Sequence, residues 1–356
     1  MPFNPFKLDV AENYLFQYFQ STASCSLTTF GHDPTNVGNM LIRMALINNA
    51  PSTAAVLRSL LALSSLHRSG LQSQAAELKI AALKALGVAS NCEIGTMETM
   101  QHVAAGMLLC SYEIHQASCT SGQWRSYIIG VKSVIKASSL DIYKRDSDFN
   151  ALLDWVYYHD VLSRFSIAHW HPSAIDRPLV HSDEPVDIPS PPMNTDPCIE
   201  VGIITHSAQS PFTKILRSLT EVCNLVATKL SNMFSSEEAD DFESYVKILA
   251  WRIQSIPISD TIIDENPSMV TFVELFQLAT LIYLNRAFGN ILEPASQTQQ
   301  RVEQAFEKRD SSRSLFLTKK LIQAIWIQDD LAHGEIDYTE KLSAILSCCT
   351  ILPTFV

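Results

Sequence analysis

Apolar positions recur at intervals of three and four along most of this chain, the spacing that turns one face of an α-helix toward a core. Val56, Leu57, Leu60, Leu61, Ser64 and His67 form one such stripe, with Ser52 placed to cap its start and Gly70 to stop it. Upstream, Asp9 is placed to cap a first helix with Leu15, Phe16 and Phe19 on its buried side. Leu71, Ala75, Leu78, Ala82 and Leu86 mark the helix after Gly70. The strongest signal spans residues 98–137. Met100, Val103, Ala104, Met107, Leu108, Ser111 and Ile114 form a stripe that Ala105 and Leu109 widen, so this helix is expected to be central. Trp124, Ile128, Val131 and Ile135 mark its partner. Gly130 inside that partner costs about 1 kcal/mol relative to alanine and is expected to admit a close neighbour.

A further helix is expected from Phe149 to Trp170. The pattern then breaks, because residues 172–211 hold eight of the 16 prolines together with Asp183, Glu184, Asp187, Asp196 and Glu200. Such a stretch can neither continue a helix nor form its own core. Helical periodicity resumes from Phe212 to about Met233, and the acidic run from Glu237 to Glu243 suits the start of the next helix. A strong apolar helix follows from Ser268 through Phe272, Leu275, Leu278, Ile282 and Asn285, with two more at 312–333 and 338–350. No strand-like alternation persists. The expected fold is all-α: roughly ten to thirteen helices packed as antiparallel hairpins in a compact or solenoid-like array. It reads as one domain with a helical half at 1–171, a proline-rich acidic loop at 172–211 and a second helical half at 212–356.

Composition narrows the function. With 356 residues, 47% of them hydrophobic, the chain can bury a large core. Its net charge is −11, and its densest basic groups are only pairs: Lys144-Arg145, Lys308-Arg309 and Lys319-Lys320. Duplex binding needs clustered cations against the phosphates. The eight cysteines include no C-x-x-C pair, so a reducing compartment fits better than a disulfide framework. The first residues lack a signal-peptide pattern, and no apolar run approaches the roughly 20 residues that span a bilayer.

Reaction chemistry has little support. His159, His169, His171 and His181, with Asp160 and Asp176, are the one grouping that suggests a metal, and they support an alternative reading as an α-helical enzyme or metal-binding protein. H-E-x-x-H, G-x-S-x-G and the glycine-rich phosphate loops do not occur. Glu98 and Glu113 lie on one helix about 20 Å apart, too far to act as an acid–base pair. Beside Tyr112, Glu113 suits a capping or interhelical hydrogen bond. No catalytic, cofactor-binding or metal-ligating residue is assigned.

Several segments nevertheless recur in a known order. L-R-S-L-L-A-L-S-S-L-H-R (Leu57 to Arg68) is followed by Q-A-A-E-L-K-I-A-A-L-K-A-L, then by the 98–137 segment with Glu113, Trp124 and Gly130, then by V-Y-Y-H-D-V-L-S-R-F-S (Val156 to Ser166) and L-A-T-L-I-Y-L-N-R-A (Leu278 to Ala287). In this order, with the proline-rich break between the last two, the chain resembles the regulatory domain of fungal-specific transcription factors of the zinc-cluster type. Tyr127 stands where many members have histidine. The resemblance implies a non-enzymatic transcription regulator in the nucleus, controlling a metabolic or secondary-metabolite gene cluster. It also implies protein partners in the transcription machinery or another regulator, with a small-molecule effector and a homodimer both compatible. The six-cysteine zinc cluster of such proteins does not occur in this sequence, and T-I-L-P-T-F-V (Thr350 to Val356) is similar to the start of the family's C-terminal segment. The zinc cluster is therefore expected upstream of residue 1, and the family's last helices beyond Val356.

Titrating labelled duplex DNA with this chain is expected to show no salt-sensitive, submicromolar affinity, because no cationic cluster is present to release counterions.

Overall fold

The structure is a computed structural model that describes residues 8–27, 34–91, 95–116, 123–138, 147–170, 211–231, 236–257, 267–289, 291–294, 296–297 and 300. Among these residues the long elements are all α-helices: α1 (Val10–Ser21), α2 (Pro34–Leu46), α3 (Pro51–Ser69), α4 (Ser73–Ala89), α5 (Thr96–His115), α6 (Gln123–Ala137), α7 (Ser147–Trp170), α8 (Pro211–Ser231), α9 (Ser236–Gln254) and α10 (Pro267–Ala287). A single 3-10 turn, Ala23–Ser26, follows α1. The all-α expectation holds. The helices expected at 312–333 and 338–350, and the proline-rich stretch up to residue 210, lie outside the described residues.

Local chemistry accounts for most helix ends. Asp9 caps α1 by accepting from the Glu12 amide at 2.7 Å, and the Glu12 carboxylate reaches back to the Asp9 amide, a complete capping box. Gly70 ends α3 at φ 72°, a left-handed conformation that glycine adopts without a Cβ penalty. Ser52 is not the cap of α3. The cap lies two residues earlier, at Ala50, with Pro51 in the first position, where the missing N–H costs nothing. Leu71 lies outside α4 and is 65% exposed, so it does not belong to that helix's stripe. Helix α2 has no counterpart in the expectations above, although Val37, Met40, Leu41 and Met44 repeat the same three–four spacing from Pro34.

The described chain forms two compact units, with the boundary inside α7 between Asp160 and Val161. In the first unit, α3 packs against α1, α2, α4 and α5, and α5 packs against α6. Their apolar faces join in one core that includes Phe19, Leu41, Leu60, Leu63, Val103, Met107, Phe149 and Trp155. Every residue of α5 from Thr99 to Glu113 is buried, as its widened apolar surface implies. In the second unit, α8, α9 and α10 pack on one another. Phe165 stacks edge-on against Tyr283 at 4.9 Å, and Gln277 donates to the Ile253 carbonyl at 2.6 Å. Asn285 closes the turn after α10, accepting from the Leu292 amide and donating to the Glu293 carbonyl.

The close helix approach expected at Gly130 occurs elsewhere. Gly130 is exposed, and a Cβ built on it would meet nothing within 4 Å. At Gly106 on α5, the same Cβ would collide with Val131 Cγ2 on α6. The α5–α6 contact therefore depends on the glycine of α5. Gly106→Ala is expected to destabilise the protein by about 1–3 kcal/mol through overpacking. Gly130→Ala is expected to stabilise it by about 1 kcal/mol through helix propensity. Chemical denaturation of the two variants, in which opposite signs are the expected result, checks both.

Candidate functional site

The C-terminal half of α5 carries one cluster of polar side chains of the first unit. Glu113 is placed by the last turns of α5, and its side chain is 2% exposed. Its partner is Lys79 of α4, whose ammonium lies 2.5 Å from Oε1 and 5.5 Å from the centre of the Tyr112 ring. The contact is ionic by distance, but its angle lies outside hydrogen-bond geometry. Glu113 thus makes an interhelical ion pair in place of the capping or interhelical hydrogen bond expected of it. Removing one member would strand a buried charge. Tyr112 is fully buried and its hydroxyl makes no hydrogen bond. Burial, with the Glu113 charge adding to it, raises the pKa of Tyr112. Tyr127 of α6 faces the same cluster, and burial together with Glu113 pushes it up to about 12. Burial also raises Cys110 far above the range of a reactive thiol.

A second polar run crosses the same end of α5. Tyr18 of α1 is hydrogen-bonded to His67 Nδ1 of α3 at 3.0 Å, and the His67 ring lies 6.4 Å from that of His115. His115 Nδ1 is 2.7 Å from the Ser111 carbonyl. On α7, His159 is buried between the edges of Trp155 and Tyr158, with Nδ1 donating to the Trp155 carbonyl at 3.0 Å. Burial lowers the pKa of His67. It lowers His159 to about 4; the backbone bond opposes this and the His115 charge assists it. Lys132 of α6 pairs with Asp160 at 2.9 Å.

These groups are held paired or neutral, a state that fixes helix positions and supplies neither a nucleophile nor a base poised near neutral pH. Of the histidines grouped in the sequence, His159 is committed to its own helix. The side chain of His169 and the whole of His171, Asp176 and His181 lie outside the description. Among the described residues no group of three or more His, Cys, Asp or Glu is placed to hold a metal. Of the other positions singled out, Glu98 lies in the first turn of α5, and Trp124 is half-buried on α6.

Two interhelical partners escape sequence reasoning. Lys79 lies in an alanine-rich stripe whose sequence gives no sign of Glu113. Gln101, on the buried α5, donates to the Met44 carbonyl at 3.1 Å and to Thr53 Oγ1 at 2.8 Å, and accepts from Ser52 Oγ at 2.6 Å. A glutamine inside an apolar run is the available signal, since such a side chain must find partners in the core.

The buried His159 makes stability pH-dependent. Its folded pKa lies below the unfolded value of 6.5, so the unfolded chain binds more protons between pH 6.5 and about 4. Stability is therefore expected to fall through that window by up to about 1.4 kcal/mol per pH unit. Denaturation at several pH values should show a shallower slope in His159→Phe than in the parent; equal slopes would refute the assignment.

Residues 14–326 match the fungal specific transcription factor domain. The chain is 37% identical over 390 aligned residues to the transcription factor iacI of Pestalotiopsis fici, in an alignment covering 98% of this chain and 96% of that protein. No solved structure matches significantly. Among the described residues no helix is long and apolar enough to cross a membrane. The domain match and the relative aligned nearly end to end both show that this chain belongs to the fungal specific transcription factor domain family and is a transcription regulator.

Proposed function

We propose that this regulator controls a metabolic or secondary-metabolite gene cluster from the nucleus, acting through protein partners and catalysing no reaction. The observation that carries the reading is the extent of similarity: the matched domain includes every helix from α2 to α10, and the relative bears a transcription-factor name. The charge balance supports contact with proteins over contact with bare DNA, since 37 acidic residues outnumber 26 basic ones. The polar cluster around α5, with its carboxylate paired and its thiol protonated, supports a structural role for the groups that would otherwise suggest chemistry. A single regulatory domain, 1–356, is the unit proposed to act. A small-molecule effector is the second reading, favoured by the buried, unbonded hydroxyl of Tyr112 beside the Lys79–Glu113 pair.

The test has two arms. Deleting the gene in its fungus is expected to change transcripts of neighbouring metabolic genes at least several-fold, and tethering the chain to an unrelated DNA-binding domain is expected to change the output of a matching reporter. Unchanged transcripts together with an unchanged reporter would overturn the proposal. Tyr112→Phe in the tethered protein addresses the effector reading: it should keep basal output and alter the response to the pathway's metabolites.

A further inference from the structure

Helix α4 carries two apolar stripes. The inner one, Ala75, Leu78, Ala82 and Ala89, is buried, on a helix that packs on α3 and α5. The outer one, Ala76, Ile80, Leu83 and Gly87, is spaced four, three and four. At about 100° per residue it lies on the far side of the helix. Ile80 is 51% exposed and Leu83 is 40% exposed. Gly87 is exposed too, and a Cβ there would meet nothing within 4 Å. A solvated helix face is normally polar, whereas four-three-four apolar spacing is the seam of a helix pair. Glu77 and Lys84 follow Ala76 and Leu83, at the positions that flank such a seam. Both are exposed, and among the described residues neither takes part in an ion pair.

We propose that this face joins two copies of the chain, α4 against α4 of the second copy, antiparallel about a two-fold axis between Ile80 and Leu83. Charge complementarity selects the occupant and the direction. In this register Ile80 meets Leu83 of the second copy, and Ala76 meets Gly87. Glu77 then lies beside Lys84 of the second copy, and the two-fold axis repeats the pair. A parallel pairing would instead bring Lys84 beside Lys79 of the other copy, setting like charges together. A single helix pair buries less than the roughly 1,000 Å² of a permanent interface, so the dimer is weak and concentration-dependent. It is independent of which genes the regulator controls.

Sedimentation of the full chain over a concentration series tests it. A monomer–dimer equilibrium with a dissociation constant of about 1–100 μM is expected. Glu77→Lys and Lys84→Glu should each weaken it about fivefold through like-charge contact. Mixing equal amounts of these two variants should restore association, since one then presents two cations to the other's two anions. Ile80→Glu with Leu83→Glu should remove the dimer. All variants should melt like the parent, because the face is solvent-exposed in the monomer. A monomer at every concentration, a dimer indifferent to the Ile80/Leu83 change, or a mixture no stronger than its components would each overturn the proposal.

Discussion

The first unit depends on one constraint: α5 is buried from Thr99 to Glu113, so the polar groups on it can find partners only inside the protein, as Gln101 and Glu113 do and the Tyr112 hydroxyl does not. A helix in that position provides the apolar surface on which its neighbours pack. It also dictates what those neighbours carry. Gln101 draws Ser52, Thr53 and the Met44 carbonyl to one end of α5, tying α2 and α3 to it. Glu113 draws Lys79 of α4 to the other end. Between them, Gly106 lets Val131 of α6 press against the α5 backbone. Three different neighbours are thereby held at three separate levels of one helix.

The same burial determines the chemistry. Desolvation favours neutral forms, so Cys110 and Tyr112 stay protonated and His159 stays uncharged near neutral pH. Glu113 is held beside a cation. Residues that would be candidate nucleophiles or bases on an exposed surface act here as positioning groups between helices. A regulator whose output depends on partner contacts needs a defined arrangement of helices, and a specific polar lattice in an apolar core is one means of achieving it. The second unit uses similar devices on a smaller scale, in the Asn285 turn and the Glu221–Arg252 pair between α8 and α9.

The sequence by itself determined the helical class, the central place of α5, the Asp9 cap and the Gly70 stop. Each of these rests on local physics: a periodic apolar face, a side chain that reaches an amide three residues on, a residue that tolerates positive φ. The resemblance to fungal regulators was legible in the same way, as an order of helical segments. Helix α2 was legible in principle and went unassigned because its stripe is short and follows a polar stretch. Which residue caps α3, which glycine allows close packing, and which cation answers Glu113 were decided only by the tertiary structure. Ser52 faces Gln101, 49 residues away, and is no cap. Gly130 and Gly106 are both glycines within helices, and only the approach of Val131 distinguishes them. Lys79 and Glu113 are 34 residues apart and meet because α4 and α5 pack together. Periodicity tells each helix which face to bury; pairing between faces depends on distances that the linear order does not contain.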